Sequence, residues 1–304
     1  MDLTNFPNGV SSFGVPVLGG GAQIPVTTGK YLFVHSGTGN NGYDGRDATR
    51  PVATIDYAVG LCDANKGDVI IVMPGHAENI SGATSLVVDK AGVQIIGLGH
   101  GRNRPVLTFT NTAGSIEMDA ANTRLSNMVL FASVSAVVVG VNVDADNVTL
   151  DGNEFNWDAT GDDFITMVDV DAFDGCSILN NRFISESAAA GAAEAIRLDD
   201  CHFVRIVGNQ FSGQWSDAAI VGEGAAGVDL LIADNVIYNA DTTTGNGIAL
   251  AVAFTGLAVG NNIGTLYATD PESTFDPGSL LCLENYIANA VDESGTIVPT
   301  VLST

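Results

Sequence analysis

The side chains best suited to chemistry in this sequence are carboxylates. They occur as close pairs: Asp144 with Asp146, Asp162 with Asp163, and Asp169 with Asp171. Acids at i and i+2 of a strand share a face, and two such carboxylates can hold a hard cation such as Ca2+. A Ca2+-assisted proton abstraction also needs a base nearby. Arg182, Arg197 and Arg205 match none of these pairs. The acids therefore read as a solvated face, and no metal site is assigned. His100, between Gly99 and Gly101, offers an imidazole, with Asp199 and Asp200 as candidate acids. His35, His76 and His202 lack metal-ligand spacing. Trp157 and Trp215 are candidates to line a glycan groove. No catalytic residue and no cofactor is assigned.

These residues belong to a chain of 304 residues with net charge −24, from 35 acidic and 11 basic side chains. Lys30, Lys66 and Lys90 are its only lysines. Nucleic acid and anionic membranes are poor partners for such a surface. Apolar residues make up 46 % and charged ones 15 %, which excludes a disordered chain. The first basic residue is Lys30, and Gly and Pro interrupt the opening segment, so no signal peptide is expected. No apolar run is long enough for a membrane span. Cys62, Cys176, Cys201 and Cys282 are widely spaced and read as buried free thiols. Synthesis in the cytoplasm, followed by assembly, fits these features.

The positioning elements come from a repeat. An apolar-x-apolar-x-x-Asn-x-apolar unit recurs as VTLDGNEF (Val148–Phe155), CSILNNRF (Cys176–Phe183) and VRIVGNQF (Val204–Phe211). LLIADNVI (Leu230–Ile237) and LAVGNNIG (Leu257–Gly264) are weaker copies. VQIIGLGH (Val93–His100) and TRLSNMVL (Thr123–Leu130) lack the Asn. A second apolar strand precedes most copies. About seven or more coils of ~27 residues, with no helix inside the repeat, predict an all-β, single-stranded parallel β-helix. In this register Asn153, Asn181, Asn209, Asn235 and Asn262 form a structural Asn ladder, and Phe155, Phe183 and Phe211 form a core aromatic stack. The register also separates His100 from Asp199 and Asp200 by about four coils, near 19 Å. Glycosidic cleavage needs carboxyls about 5–10 Å apart.

Four regions follow: an extended arm over 1–30, a cap with the first coils over 31–91, the β-helix over 92–270, and a C-terminal cap or tail over 271–304. Within the cap, Tyr31–Val34 and Asp68–Met73 read as strands. Ile55, Ala58, Val59 and Cys62 recur at helical spacing inside Pro51–Asn65, which predicts a capping helix.

The coil pattern resembles right-handed parallel β-helices of the pectate-lyase-like class, and Gly99-His100-Gly101 is similar to the Gly-His-Gly of polygalacturonase-type members. The stretch from Phe33 to Ile80, the arm SSFGVPVLGGG (Ser11–Gly21) and the ending ENYIANAVDESGTIVP (Glu284–Pro299) resemble β-helix proteins of tailed bacteriophages. That resemblance implies a non-enzymatic virion structural protein, foremost a capsid decoration or cement protein. It would be a homotrimer on the capsid surface, with the major capsid protein and other virion proteins as partners. The alternative it implies is a tailspike or tail fibre that binds or cleaves host polysaccharide. A secreted host adhesin is a third reading, disfavoured by the opening segment.

Overall fold

A computed structural model describes residues 11–12, 15–16, 25–186, 191–243, 245–251, 253–266, 274–288 and 294–297. Most of the expected N-terminal arm and much of the C-terminal tail lie outside the described residues.

The chain is a parallel β-solenoid of about 8 turns, ~26 residues per turn. Each turn contributes to three sheets in order. Sheet I runs from Tyr31–Val34 to Ser279–Leu283 and has ten strands. Sheet II starts at Ala77–Ile80, passes Asn285–Ala288, and ends on Ser294–Ile297, which pairs antiparallel. Sheet III runs from Leu86–Val87 to Phe275–Asp276 and has eight strands. The turn-to-turn pairing is parallel, so each position stacks on its equivalents along the axis.

That stacking makes the core a set of columns. On sheet I, Leu125, Leu150, Ile178, Ile206 and Ile232 lie one above another, all buried. On sheet II the rings of Phe155, Phe183 and Phe211 stack at 4.9 and 4.8 Å between centroids. Phe164 and Trp215 close the two ends of the stack edge-on, at 6.0 and 6.2 Å. Such contacts add to the burial of apolar area itself.

Two bends per turn are made by left-handed residues, which Gly, Asn and Asp adopt most readily. Gly67, Gly92, Asn122, Asn147, Gly175, Phe203 and Asp229 lead into sheet I with φ of +57 to +77°. Asn127, Gly152, Asn180, Gly208, Asp234, Gly260 and Glu284 lead out of it into sheet II, with φ of +51 to +70°.

The residue after this second bend carries the Asn ladder. Its rungs are Asn153, Asn181, Asn209, Asn235, Asn261 and Asn285, all buried. From Asn181 on, each Oδ1 accepts the backbone N–H of the rung before it at 2.8–3.1 Å and that rung's Nδ2–H at 2.8–3.2 Å, while Asn153 Oδ1 accepts Met128 N–H at 3.0 Å. Each Nδ2 also donates to a sheet I carbonyl, as Asn209 does to Ile178 at 2.9 Å. Asn262 is not a rung. It pairs with Val236 and points to solvent. Two adjacent Asn residues made the repeat ambiguous there. The pairing of Leu231 with Leu257 places the left-handed residue at Gly260, so Asn261 follows the bend.

Helix α1 (Ile55–Leu61) is shorter than the Pro51–Asn65 span the periodicity predicts. Val52 is drawn into a bridge with Val34, and Thr54 caps the helix by accepting from Tyr57 N–H. Ile55, Ala58 and Val59 enter the same core as the coils. A buried relay ties the helix to the first turn. Ser36 N–H donates to His76 Nδ1 at 3.0 Å, His76 Nε2–H donates to Glu78 at 3.0 Å, and Glu78 accepts Ile55 N–H at 3.0 Å.

Asn209→Ala strands a buried N–H and a buried carbonyl. It is expected to cost about 3–5 kcal/mol in denaturant unfolding, against within about 0.5 kcal/mol for Asn262→Ala. Equal losses at the two positions would refute the ladder register. Phe203 is a bulky residue in a left-handed bend, so Phe203→Asn is expected to stabilise by about 1 kcal/mol in the same assay.

Candidate functional site

Outward-facing positions stack in columns as regularly as the core, which concentrates charge. On sheet III, Asp171 pairs with Asp199 and Asp199 with Glu223. Continuing the register one residue past Met118, Val143 and Val170 adds Asp119 and Asp144 to the same column. Glu117, Asn142, Asp169 and Arg197 form the column beside it.

Carboxylate oxygens of Glu117, Asp119 and Asp144 lie within 4.8 Å of one another. Ser115 Oγ–H donates to Glu117. Asn142 Nδ2–H donates to Glu117 at 2.9 Å and to Asp144 at 2.8 Å. Partial burial raises the Asp144 carboxyl above its usual range, reinforced by Glu117, Asp119, Asp169 and Asp171. Asp119 is raised by burial and by Glu117 and Asp89.

The structure thus separates the acidic pairs. Asp169 and Asp171 share the outer face of sheet III. Asp146 leaves the strand and accepts Asp174 N–H in the turn. Asp163 turns inward, where it accepts from Ser185 Oγ–H and Glu186 N–H at 2.8 Å each and anchors the connection between sheets II and III. Burial pushes Asp163 up to about 6 even so. Glu117 and Asp119 escaped the sequence reading, although their alternation in Ser115-Ile116-Glu117-Met118-Asp119 is the signal that finds them.

Arg197 donates through Nε to Asp169 at 2.8 Å and through a second N–H to the same carboxylate. These bonds raise its affinity for protons above that of a free guanidinium. A general base needs a pKa near the working pH, so Arg197 is an ion-pair partner rather than a proton acceptor.

The faces of sheets I and II differ sharply from sheet III. Within their strands each face holds one outward acid among the described residues, and both are ion-paired, while exposed Asp158 follows a sheet II strand and exposed Asp229, Asp234 and Glu284 sit at the bends of sheet I. Asp151 on sheet I is paired with Arg124. Glu154 on sheet II faces Arg104 at 3.3 Å and Arg182 at 3.8 Å. The remaining outward positions become apolar toward the C-terminal end. Leu231, Leu257 and Leu281 stack on sheet I. Val236, Tyr238 and Tyr286 lie on sheet II, 50, 45 and 53 % exposed.

A cleft of about 690 Å³ lies at the bend between sheets I and II, lined by Ile96, His100, Asn127, Asp151 and Asn180 among others. Asp199 and Asp200 lie elsewhere, where a strand in the middle of sheet III ends in a left-handed bend. His35 and His202 use Nδ1 to accept backbone N–H groups of Gly37 and Val228 at 3.1 and 3.2 Å. The two tryptophans form no groove. Trp215 is fully buried on sheet III against Phe211, while Trp157 ends a sheet II strand. Trp157 lies two residues after Phe155, still on its sheet II strand, whereas Trp215 lies four after Phe211 and begins the next sheet III strand. The four cysteines are buried free thiols, with burial pushing Cys62 and Cys201 up to about 12.

No family model, no curated protein and no solved structure matches the chain.

The folded-state values of Asp119, Asp144 and Asp163 lie above their unfolded ones, so protonation favours the fold. This contribution is complete below pH ~4 and is lost as pH rises through about 6 for Asp163. The unfolding midpoint is therefore expected to be higher at pH 5 than at pH 7.5 at constant ionic strength. Asp144→Asn should raise the midpoint at pH 7.5 and narrow the difference. A midpoint that falls between pH 7.5 and 5 would contradict this account of the acidic face.

Proposed function

We propose that this protein is a structural component of a tailed-bacteriophage virion, most specifically a capsid decoration or cement protein. The observation that carries the reading is the segregation of charge on a stiff solenoid. One face stacks carboxylates from turn to turn, while the strands of the other two carry one ion-paired acid each and expose Leu281 and Tyr286 at one end. A part that must pack closely on neighbours while keeping particles from adhering to each other needs this division. The phage-like stretch from Phe33 to Ile80 supports the same reading. It holds the Gly- and Asn-rich loop, α1 and the His76–Glu78 relay that lock the helix onto the first turn. In this reading the partners are further copies of the chain, as a homotrimer, and the major capsid protein with other virion proteins. The mechanism is mechanical: contact area resists the separation of subunits.

A β-solenoid is compatible with both non-enzymatic and polysaccharide-acting proteins. The cleft beside His100, Asp151 and Asn180 favours a second reading, a tailspike or fibre that binds or cleaves host polysaccharide. There the polar side chains would meet sugar hydroxyls. Asp151 is already held by Arg124 and by Asn180 Nδ2–H at 3.0 Å, which suits binding better than proton transfer.

Quantitative mass spectrometry of purified particles separates these readings. Hundreds of copies relative to the major capsid protein are expected for a decoration protein. About a dozen copies would transfer the assignment to a spike or fibre and call for a depolymerisation assay. Absence from particles would overturn both.

A further inference from the structure

We infer that the corner between sheets I and II holds an anion site in its early turns, and that the ligand is a small organic phosphate monoester. The site stands apart from the virion reading and uses none of its premises.

The first observation is where the positive charge falls. After Lys90 the chain has six basic residues: Arg102, Arg104, Arg124, Arg182, Arg197 and Arg205. Arg197 alone lies on sheet III. Arg124 and Arg205 are on sheet I, Arg182 is on sheet II, and Arg102 and Arg104 belong to the connection between those two sheets. A chain of net charge −24 thus gathers nearly all its later cations along one corner.

The second is the loop that carries two of them. The next turns pass from sheet I to sheet II in two residues, but residues 98–105 intervene here. The loop is tied to turns on both sides. The Asn103 carbonyl accepts Gly75 N–H at 3.0 Å, from the turn before. Arg104 reaches forward and donates to the carbonyls of Met128 at 2.7 Å and Gly152 at 2.8 Å, and to Glu154 at 3.3 Å. A guanidinium has five N–H groups. The Nε–H of Arg104 is buried with no acceptor among the described residues, so its charge is only partly met.

The third is a cavity of about 400 Å³, lined by Gly101, Arg102, Arg104, Val106, Val129 and Glu154. Arg182 pairs with Glu154 in register on the next strand, and lies 3.8 Å from its carboxylate. Three guanidinium groups, of Arg102, Arg104 and Arg182, face the single carboxylate of Glu154, which leaves an excess of two positive charges. Asp151, across the bend, is held by Arg124 and Asn180. Exposed Asp158 is four residues past Glu154, roughly 13 Å along an extended strand.

The ligand class follows from charge and shape. A phosphate monoester carries about −1.5 to −2 near pH 7, which matches the excess. Arginine forks fit phosphate oxygens in pairs. Val106 and Val129, both half-buried, give the organic part an apolar wall, and the volume suits a small molecule. A long polyanion is disfavoured, because the surrounding acidic surface repels it.

Calorimetric titration of the full chain at pH 7.5 tests this, with phenyl phosphate as the probe. Saturation at one site per chain is expected. Phenyl sulfate has the same shape with less charge, and inorganic phosphate lacks the ring, so each is expected to bind about tenfold more weakly. Arg102→Gln and Arg182→Gln are each expected to weaken phenyl phosphate about tenfold. Arg205→Gln, on sheet I outside the cavity, is expected to leave binding unchanged. All three replace exposed side chains, and circular dichroism checks that each variant is folded. No saturation in the millimolar range, or full binding by both Arg102→Gln and Arg182→Gln, would overturn the site. An equal loss with Arg205→Gln would reduce it to general surface charge. Phenyl sulfate or inorganic phosphate binding as tightly as phenyl phosphate would overturn the ligand class. Particle composition is read separately, so the virion role and this site can each fail alone.

Discussion

The structure depends on one recurring constraint: after each turn the chain must return to the same place, one strand spacing further along. The bend between sheets I and II enforces this. A left-handed residue reverses the chain within two positions, and the Asn that follows repairs the hydrogen bonding that so sharp a bend would break. Its Oδ1 accepts the N–H groups of the preceding rung, and its Nδ2 satisfies a sheet I carbonyl as well as the next rung. Buried amide groups without partners are costly. A rung therefore works only when its neighbours are in register, which makes the ladder a register lock as well as a source of stability.

Once turns are locked in register, side chains become columns, and columns act collectively. Inside, this produces the Phe155–Phe183–Phe211 stack, with Phe164 and Trp215 closing its ends. Outside, it produces charge separation. Acids tens of residues apart in sequence become neighbours one strand apart on sheet III, and burial, reinforced by their mutual repulsion, raises the carboxyls of Asp119 and Asp144. The same regularity leaves sheets I and II with neutralised acids and apolar ends.

Much of this was legible in the repeat. The solenoid, its coil length, four ladder rungs and the Phe stack all follow from the spacing of Asn and apolar residues. What misled were local ambiguities. Asn261-Asn262 offered two candidates for one rung, and only the pairing of Leu231 with Leu257 separates them. Trp157 and Trp215 each follow a Phe of the stack, two and four residues on, and the strand that begins at Trp215 belongs to a different sheet. The helix ends were misjudged because Val52 bonds to Val34, a contact invisible to helical periodicity.

The sequence by itself determined the backbone path, because Gly, Asn and Asp at left-handed bends are local preferences that recur at a fixed period. It also determined the amount of charge. Where that charge falls was decided only by the tertiary structure. Whether Asp119, Asp144 and Asp171 are strangers or neighbours depends on inter-coil register, and register is set by hydrogen bonds between residues a whole turn apart.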